Sequence, residues 1–111
     1  MHELGIARDI MRTVAEHSGG RKILSVVVEV GPLAGVAVAS LDFCIGEVSK
    51  EMGLGEPKIT IREVPVKFKC ECGAEYEATD PLDPCPSCGG YSRTILEGLD
   101  VVVREIEVED S

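Results

Sequence analysis

Four cysteines lie in two short pairs in the second half of the chain. The stretch CECGAEYEATDPLDPCPSCGG contains Cys70 and Cys72 in one pair and Cys85 and Cys88 in the other, with 12 residues between the pairs. Two short thiolate pairs at this separation are typical of structural zinc, which binds four ligands in a tetrahedron with Zn–S distances of about 2.3 Å. The pattern predicts one Zn(II) held by all four cysteines, with no open position for a substrate.

The first cysteine pair has the spacing C-x-C, whereas C-x-x-C is usual. In an extended segment Cys70 and Cys72 would lie on the same face, so both can bind the ion. Tight turns are expected at the glycines that follow the pairs, because glycine tolerates positive φ; these are Gly73, Gly89 and Gly90. Cationic side chains placed to offset part of the thiolate charge are Lys67, Lys69 and Arg93. Rubredoxin-like iron, a redox dithiol and a disulfide remain alternatives for the same four residues.

The chain begins MHELG, which places a histidine directly behind the initiator methionine. A bulky second residue is expected to keep Met1 in place, and its α-amine, with a pKa of about 7.7–8.0, is an available ligand. That amine, the amide and imidazole of His2 and the amide of Glu3 form a planar set of nitrogens, which Ni(II) or Cu(II) prefers. The alternatives are a solvated histidine and a Glu3 carboxylate that favours a helix N-terminus.

Two further residues with metal-binding side chains have simpler interpretations. His17 lies in the last turn of the first predicted helix, where a cation is favoured, so it is at most a remote candidate ligand. Cys44 lies on the apolar face of the second predicted helix, where a free cysteine acts as a small hydrophobic residue.

Composition excludes several functional classes. The 111 residues include 20 acidic and 11 basic ones, a net charge of −9, so the protein repels nucleic acid. No apolar run is long enough to cross a membrane and no export signal is recognisable, which indicates a cytoplasmic protein. The sequence contains no nucleophile beside a base and no phosphate-binding loop, so we do not expect an enzyme.

Periodicity predicts two helices and three strands. The first helix has apolar residues at steps of three and four and ends at Gly19-Gly20; its apolar residues are Leu4, Ala7, Ile10, Met11 and Val14. A strand with a turn at Gly31-Pro32 follows, and then a second helix that starts near Ser40 as its N-cap. KITIREVPVKF and LDVVVREIEV are the second and third strands, and Pro65 predicts a bulge or a departure from the sheet.

These elements predict an α+β fold with two helices packed on a small three-stranded sheet and an inserted zinc-ribbon-like module. The last strand is expected beside the second one. Residues 70–90 contain few apolar side chains, so metal binding is expected to hold them together. The predicted division is an α/β domain at residues 1–66 and 95–111 that binds nickel and a zinc-binding module at 67–94, with a hinge near residues 64–68.

The whole chain resembles the HypA/HybF family of hydrogenase nickel-incorporation proteins. The likeness rests on the opening MHE, on VEVGPLAGV after the first strand, on CPSCGG and on the closing LDVVVREIEVE. It implies a nickel metallochaperone that delivers Ni(II) to the large subunit of [NiFe]-hydrogenase together with the GTPase HypB; some members are thought to serve urease as well. By position, His2 would be the principal nickel ligand, with Met1 and Glu3 completing the site, and the four cysteines would bind zinc.

Two other functional classes compete with this interpretation. A zinc-ribbon adaptor, whose acidic surface binds a basic partner protein, would not need His2. An electron carrier with iron at the four cysteines would show a reversible one-electron couple and a visible absorption band.

Overall fold

A computed structural model describes residues 2–110. The element bounds, in chain order, are α1 Glu3–Ser18, β1 Ile23–Val30, α2 Val38–Glu51, β2 Lys58–Glu63, β3 Val66–Cys70, β4 Glu75–Ala78, β5 Arg93–Glu97 and β6 Val101–Val108. They form two three-stranded sheets, with strand orders β2-β1-β6 and β4-β3-β5. The helices of this part of the chain are too short or too polar to cross a membrane. The α+β prediction is confirmed.

The chain divides into two compact units. The first comprises the residues up to Glu29, Val36–Arg62 and the residues from Val102 onward; the second comprises Val30–Gly35 and Glu63–Val101. In the first unit α1 packs against α2, and both contribute fully buried apolar side chains to its core. Those side chains, with the ones from β1, are Ala7, Met11, Val14, Val26, Val28, Leu41 and Ile45.

Helix α1 follows its sequence pattern closely. It ends at Ser18, and Gly19 takes the left-handed conformation with φ 62°, as a C-terminal glycine should. One apolar residue of the predicted stripe is not in the core, because Leu4 is 40% exposed. Leu4 is in the first turn, at the edge of the apolar face, whereas the later members of the stripe are buried.

Helix α2 begins earlier than predicted. Its N-cap residue is Ala37, not Ser40, and alanine has no side chain that could accept a hydrogen bond from the first turn. The acceptor comes from α1 instead: the Ala37 N–H donates to Glu3 Oε2 at 3.3 Å, and the Ser40 hydroxyl donates to Glu3 Oε1 at 3.5 Å. The predicted position was wrong because the capping carboxylate is distant in sequence.

The first sheet corrects one predicted strand order. Strand β1 is central, with β2 on one side and β6 on the other, so β6 does not lie beside β2. The central place suits β1, because Val26 and Val28 are fully buried while every residue of β2 is at least partly accessible. The Glu29 carboxylate of β1 forms ion pairs with Arg62 of β2, at an N–O distance of 3.4 Å, and with Arg104 of β6, at 2.8 Å. These ion pairs connect all three strands.

The second sheet begins where KITIREVPVKF leaves the first. Strand β2 ends at Glu63, Pro65 lies in the gap, and β3 pairs antiparallel with β4 and β5, so the predicted departure is confirmed. The expectation that metal binding holds residues 70–90 together stays a prediction, because this segment contributes only Ala78 and the partly buried Tyr76 to the hydrophobic cluster of the unit. A small core forms here from Val66, Phe68 and Ala78 with Tyr76 packed against it.

Two backbone segments of the second unit, residues 31–33 and 98–100, approach each other closely. The Gly31 N–H donates to the Asp100 carbonyl at 3.0 Å, and the Leu33 N–H donates to the Gly98 carbonyl at 2.9 Å. A Cβ atom at Gly31 would overlap the backbone of Gly98, so only glycine fits. The predicted turn is also present, since the Ala34 N–H donates to the Gly31 carbonyl at 3.1 Å.

Candidate metal centres

The four predicted cysteine ligands converge in the second unit. Their Sγ atoms all lie within 4.8 Å of one another, with Cys70 Sγ 3.5 Å from Cys88 Sγ and Cys72 Sγ 3.8 Å from Cys85 Sγ. A tetrahedron with Zn–S bonds of about 2.3 Å has edges of about 3.8 Å, so the sulfurs fit a tetrahedral ion. Each of the two short distances joins a sulfur of the first pair to one of the second.

The first pair lies on a hairpin turn at the end of β3. The Cys70 N–H donates to the Ala74 carbonyl at 2.8 Å, and the Gly73 N–H donates to the Cys70 carbonyl at 2.9 Å. Gly73 has φ 95°, which permits this turn. Cys70 is therefore placed by the strand and Cys72 by the turn, and the C-x-C spacing brings both sulfurs to the cluster.

The second pair lies on a loop closed by glycines. The Gly89 N–H donates to the Cys85 carbonyl at 2.7 Å, and the Cys85 N–H donates to the Gly90 carbonyl at 3.0 Å. Gly89 has φ 72° as predicted, whereas Gly90 has no positive φ. The role of Gly90 is different: its N–H donates to Cys88 Sγ at 3.4 Å, and a Cβ there would press against that sulfur.

The thiols differ in burial and acidity. Cys70 and Cys85 are buried, while Cys72 and Cys88 are exposed. Burial raises the pKa of the Cys85 thiol, but two amide donors of its loop and the sulfurs of the first pair outweigh burial and lower that pKa to about 7. The Gly90 amide lowers the pKa of Cys88, but hydrogen bonding with the first pair outweighs it and raises that pKa to about 12. Binding of a metal by four thiolates must therefore release protons.

The cations near the cysteines are not equivalent. Lys67 Nζ lies 3.9 Å from Glu75 Oε1 on the neighbouring strand β4, so this carboxylate neutralises part of its charge. Arg93 is bound to the loop that leads to Cys85, because its guanidinium donates to the Pro81 and Asp83 carbonyls. The sequence suggested only the charge of Arg93; these backbone contacts were not predictable from it.

The predicted N-terminal nickel site is only partly within the described residues. Met1 lies outside them. His2 is the N-cap residue of α1, its side chain is 61% exposed, and its Nε2 lies 3.9 Å from Glu3 Oε2. The Glu3 side chain is buried and its carboxylate accepts hydrogen bonds at the start of α2. The Glu3 carboxylate therefore has a structural role in addition to any part of its backbone in binding nickel.

The two remaining candidates belong to no ligand cluster among the described residues. His17 is exposed in the last turn of α1, and Cys44 is half-buried on α2. Within residues 2–110, the four cysteines are the one set of three or more His, Cys, Asp or Glu side chains close enough to share an ion.

Comparison with known proteins places the whole fold in one family. A family model described as "Hydrogenase/urease nickel incorporation, metallochaperone, hypA" matches residues 1–108. The chain belongs to the HypA family. Among its relatives, the hydrogenase maturation factor HypA of Geobacter metallireducens is 34% identical over 110 residues, which is 98% of this chain and 100% of that protein. HypA of Chlorobaculum tepidum is 35% identical over 113 residues, again 98% and 100% of the two chains.

Solved HypA structures share the fold. The solution structure of the nickel metallochaperone HypA from Helicobacter pylori superposes with a TM-score of 0.73 at 18% sequence identity, covering 97% of each chain. A second HypA solution structure has a TM-score of 0.67 at 20% identity and covers 98% of this chain and 97% of the other. The predicted resemblance to the HypA family is confirmed, and family members are metallochaperones for nickel incorporation.

Proposed function

We propose that this chain binds Ni(II) at its N-terminus and delivers it during maturation of [NiFe]-hydrogenase. The ligands are the α-amine of Met1, the amide and imidazole of His2 and the amide of Glu3. The observation that carries the proposal is the family match, which runs from residue 1 to residue 108 and so includes this tripeptide. The exposure of the His2 imidazole supports it, because a site that must pass its ion to another protein has to be accessible.

The four cysteines hold a structural Zn(II) in this proposal. The support is their donor chemistry and their spacing, since four thiolates with edges near 3.8 Å match the ligand set that zinc prefers in closed sites. When bound, the ion supplies a cross-link between two short turns. The small core of the second unit, formed around Phe68, adds hydrophobic stabilisation to that cross-link.

Delivery follows from the contrast between the two sites. Nitrogen ligands at an exposed terminus can be replaced one at a time by ligands of the receiving protein, whereas a closed tetrathiolate site retains its ion. Copper(II) binds such nitrogens more tightly than nickel does, so selectivity comes from metal supply and from partner docking. The proposed partners are the GTPase HypB and the hydrogenase large subunit, the proposed compartment is the cytoplasm, and the protein acts without catalysis of its own.

The assignment of each metal to a separate part of the chain is also a proposal. Nickel binding is assigned to residues 1–66 and 95–111, and zinc binding to residues 67–94. This division stays a prediction, and the metal-content experiment on ligand variants that follows is the way to examine it.

Elemental analysis of the tag-free protein before and after Ni(II) loading tests the proposal. We expect one zinc and one added nickel in the wild type, and one zinc without nickel in His2→Ala. The chain contains two histidines, so His17→Ala is a matched control and should bind nickel like the wild type. Equal nickel in His2→Ala and the wild type would overturn the terminal site and favour the zinc-ribbon adaptor.

A further inference from the structure

Arg93 makes an unusual set of contacts for a half-buried arginine. One terminal nitrogen lies 2.6 Å from the Tyr76 hydroxyl, and the guanidinium also donates to the carbonyl oxygens of Pro81 and Asp83. Its carbon Cζ lies 4.0 Å from the centroid of the Phe68 ring. Its partners among the described residues are neutral, so the side chain binds backbone and rings where a surface arginine would pair with a carboxylate.

These contacts connect Arg93 to both cysteine pairs. In the β3–β5 ladder Arg93 is the residue opposite Cys70, and it stacks on Phe68, two residues before that cysteine. On the other side it holds the carbonyl of Asp83, two residues before Cys85. One side chain therefore fixes the loop carrying the second pair to the strand that ends in the first.

We propose that Arg93 is the positioning residue of the cysteine metal centre: its guanidinium holds the 81–83 loop so that the second thiol pair meets the first. This inference rests on the proposed zinc site. The 81–83 loop has to be ordered for the four sulfurs to meet, and bonds from Arg93 to that loop offset part of the entropy lost when it becomes ordered. Groups that orient metal ligands from outside the ligand set commonly change metal affinity by about 10- to 100-fold when they are removed.

The geometry of Arg93 matters here more than its charge. Its planar guanidinium can donate to two carbonyls and a hydroxyl at once while lying on an aromatic ring, which a lysine ammonium cannot do. Lys69 provides a comparison, because it is exposed on the neighbouring strand β3 and carries the same charge. Replacing Lys69 removes one positive charge from this unit without removing a bond to the loop.

Zinc transfer to a chromophoric chelator tests the proposal on the full-length protein. We expect Arg93→Lys and Arg93→Ala to release zinc about 10- to 100-fold faster than the wild type, and Lys69→Gln to release it within about twofold of the wild-type rate. Equal acceleration by Lys69→Gln and Arg93→Ala, with no acceleration by Arg93→Lys, would show that charge alone acts, and would overturn the positioning role. A wild-type rate in Arg93→Lys would overturn it as well.

Cysteine alkylation separates positioning from general loss of stability. On the zinc-loaded protein, iodoacetamide labelling followed by mass spectrometry should show Cys85 reacting faster in Arg93→Lys than in the wild type, with little change at Cys70. Equal acceleration at both would mean that Arg93 only stabilises the unit, which contradicts the proposal. The zinc content of the wild type distinguishes failure of the proposed zinc site from failure of the positioning role of Arg93. A wild type that binds no zinc overturns the zinc site itself, and this inference with it.

Discussion

The carboxylate of Glu3 accepts a hydrogen bond from the backbone N–H of Ala37, with Oε2 and the nitrogen 3.3 Å apart. Glu3, the first residue of α1, therefore caps the start of α2. The residue that follows the proposed nickel-binding His2 thus contributes to the contact between the two helices. A carboxylate at this place also complements the positive end of the α2 dipole. The Glu3 side chain thus anchors the start of α1, while the neighbouring His2, a proposed nickel ligand, stays exposed.

Removal of the Glu3 carboxylate should destabilise the fold without removing nickel. Glu3→Ala leaves the Ala37 amide and the Ser40 hydroxyl without this acceptor, and we expect the melting temperature to fall by about 4–8 °C, the effect of losing a typical helix cap in a small domain. Glu3→Gln keeps an acceptor oxygen and should lose less. Differential scanning calorimetry is the measurement, with the exposed Glu16→Ala on the same helix as the control.

Nickel stoichiometry in Glu3→Ala should remain at one, because the proposed ligand from this residue is its amide nitrogen. Loss of nickel from a folded Glu3→Ala protein would show that the carboxylate itself binds the ion.

Loss of one zinc ligand should unfold one unit more than the other. Cys88→Ala leaves three thiolates, and the core around Val66 and Phe68 is too small to keep the second unit ordered alone. We expect amide NMR signals of residues 66–97 to collapse toward random-coil positions while those of α1 and α2 persist. Cys44→Ala is the matched control and should leave both sets in place; a uniform loss in Cys88→Ala would mean that the units fold together.

A methyl group at Gly31 should be costly. Because its Cβ would overlap the Gly98 backbone, Gly31→Ala forces two hydrogen-bonded segments apart, and we expect a loss of about 1–3 kcal/mol in the free energy of unfolding. The control is Gly46→Ala in the middle of α2, where a Cβ meets nothing within 4 Å. That substitution should stabilise the protein by roughly 0.5–1 kcal/mol, since alanine favours a helix interior. Urea denaturation distinguishes the two, and equal effects would contradict the close approach.

Two leucines on the apolar sides of the two helices should respond differently to truncation. Leu41 is fully buried on α2, so Leu41→Ala should cost about 2–5 kcal/mol in the free energy of unfolding. Leu4 is 40% exposed, and Leu4→Ala should cost less than about 1 kcal/mol. Similar losses in chemical denaturation would indicate that the first turn of α1 is buried more deeply than the structure shows.

Structural features that depend only on residues close together in sequence were predicted correctly. The period of three and four in α1, the glycine that ends it at Gly19 and the departure of the chain at Pro65 are properties of short segments, and the structure has all three. The convergence of the four sulfurs followed in the same way, because a metal centre leaves a spacing pattern in the chain.

Contacts between distant segments were not predictable from one sequence. The cap of α2 comes from Glu3, which lies 34 residues before Ala37, so the local rule selected Ser40 instead. The position of β6 beside β1 depends on which strand is the most buried, and that depends on packing against elements distant in sequence. The short strand β4 has only four residues, too few for its alternation to stand out among turns.

The burial pattern of the cysteines gives the metal centre an outer and an inner side. Cys72 and Cys88 face solvent, Cys70 and Cys85 do not, and each outer sulfur belongs to a different pair. A bound ion would therefore be open to an incoming thiol or chelator from the side of Cys72 and Cys88. Cys70 and Cys85 would hold it from the buried side, which makes the site more accessible to exchange from one direction than from the other.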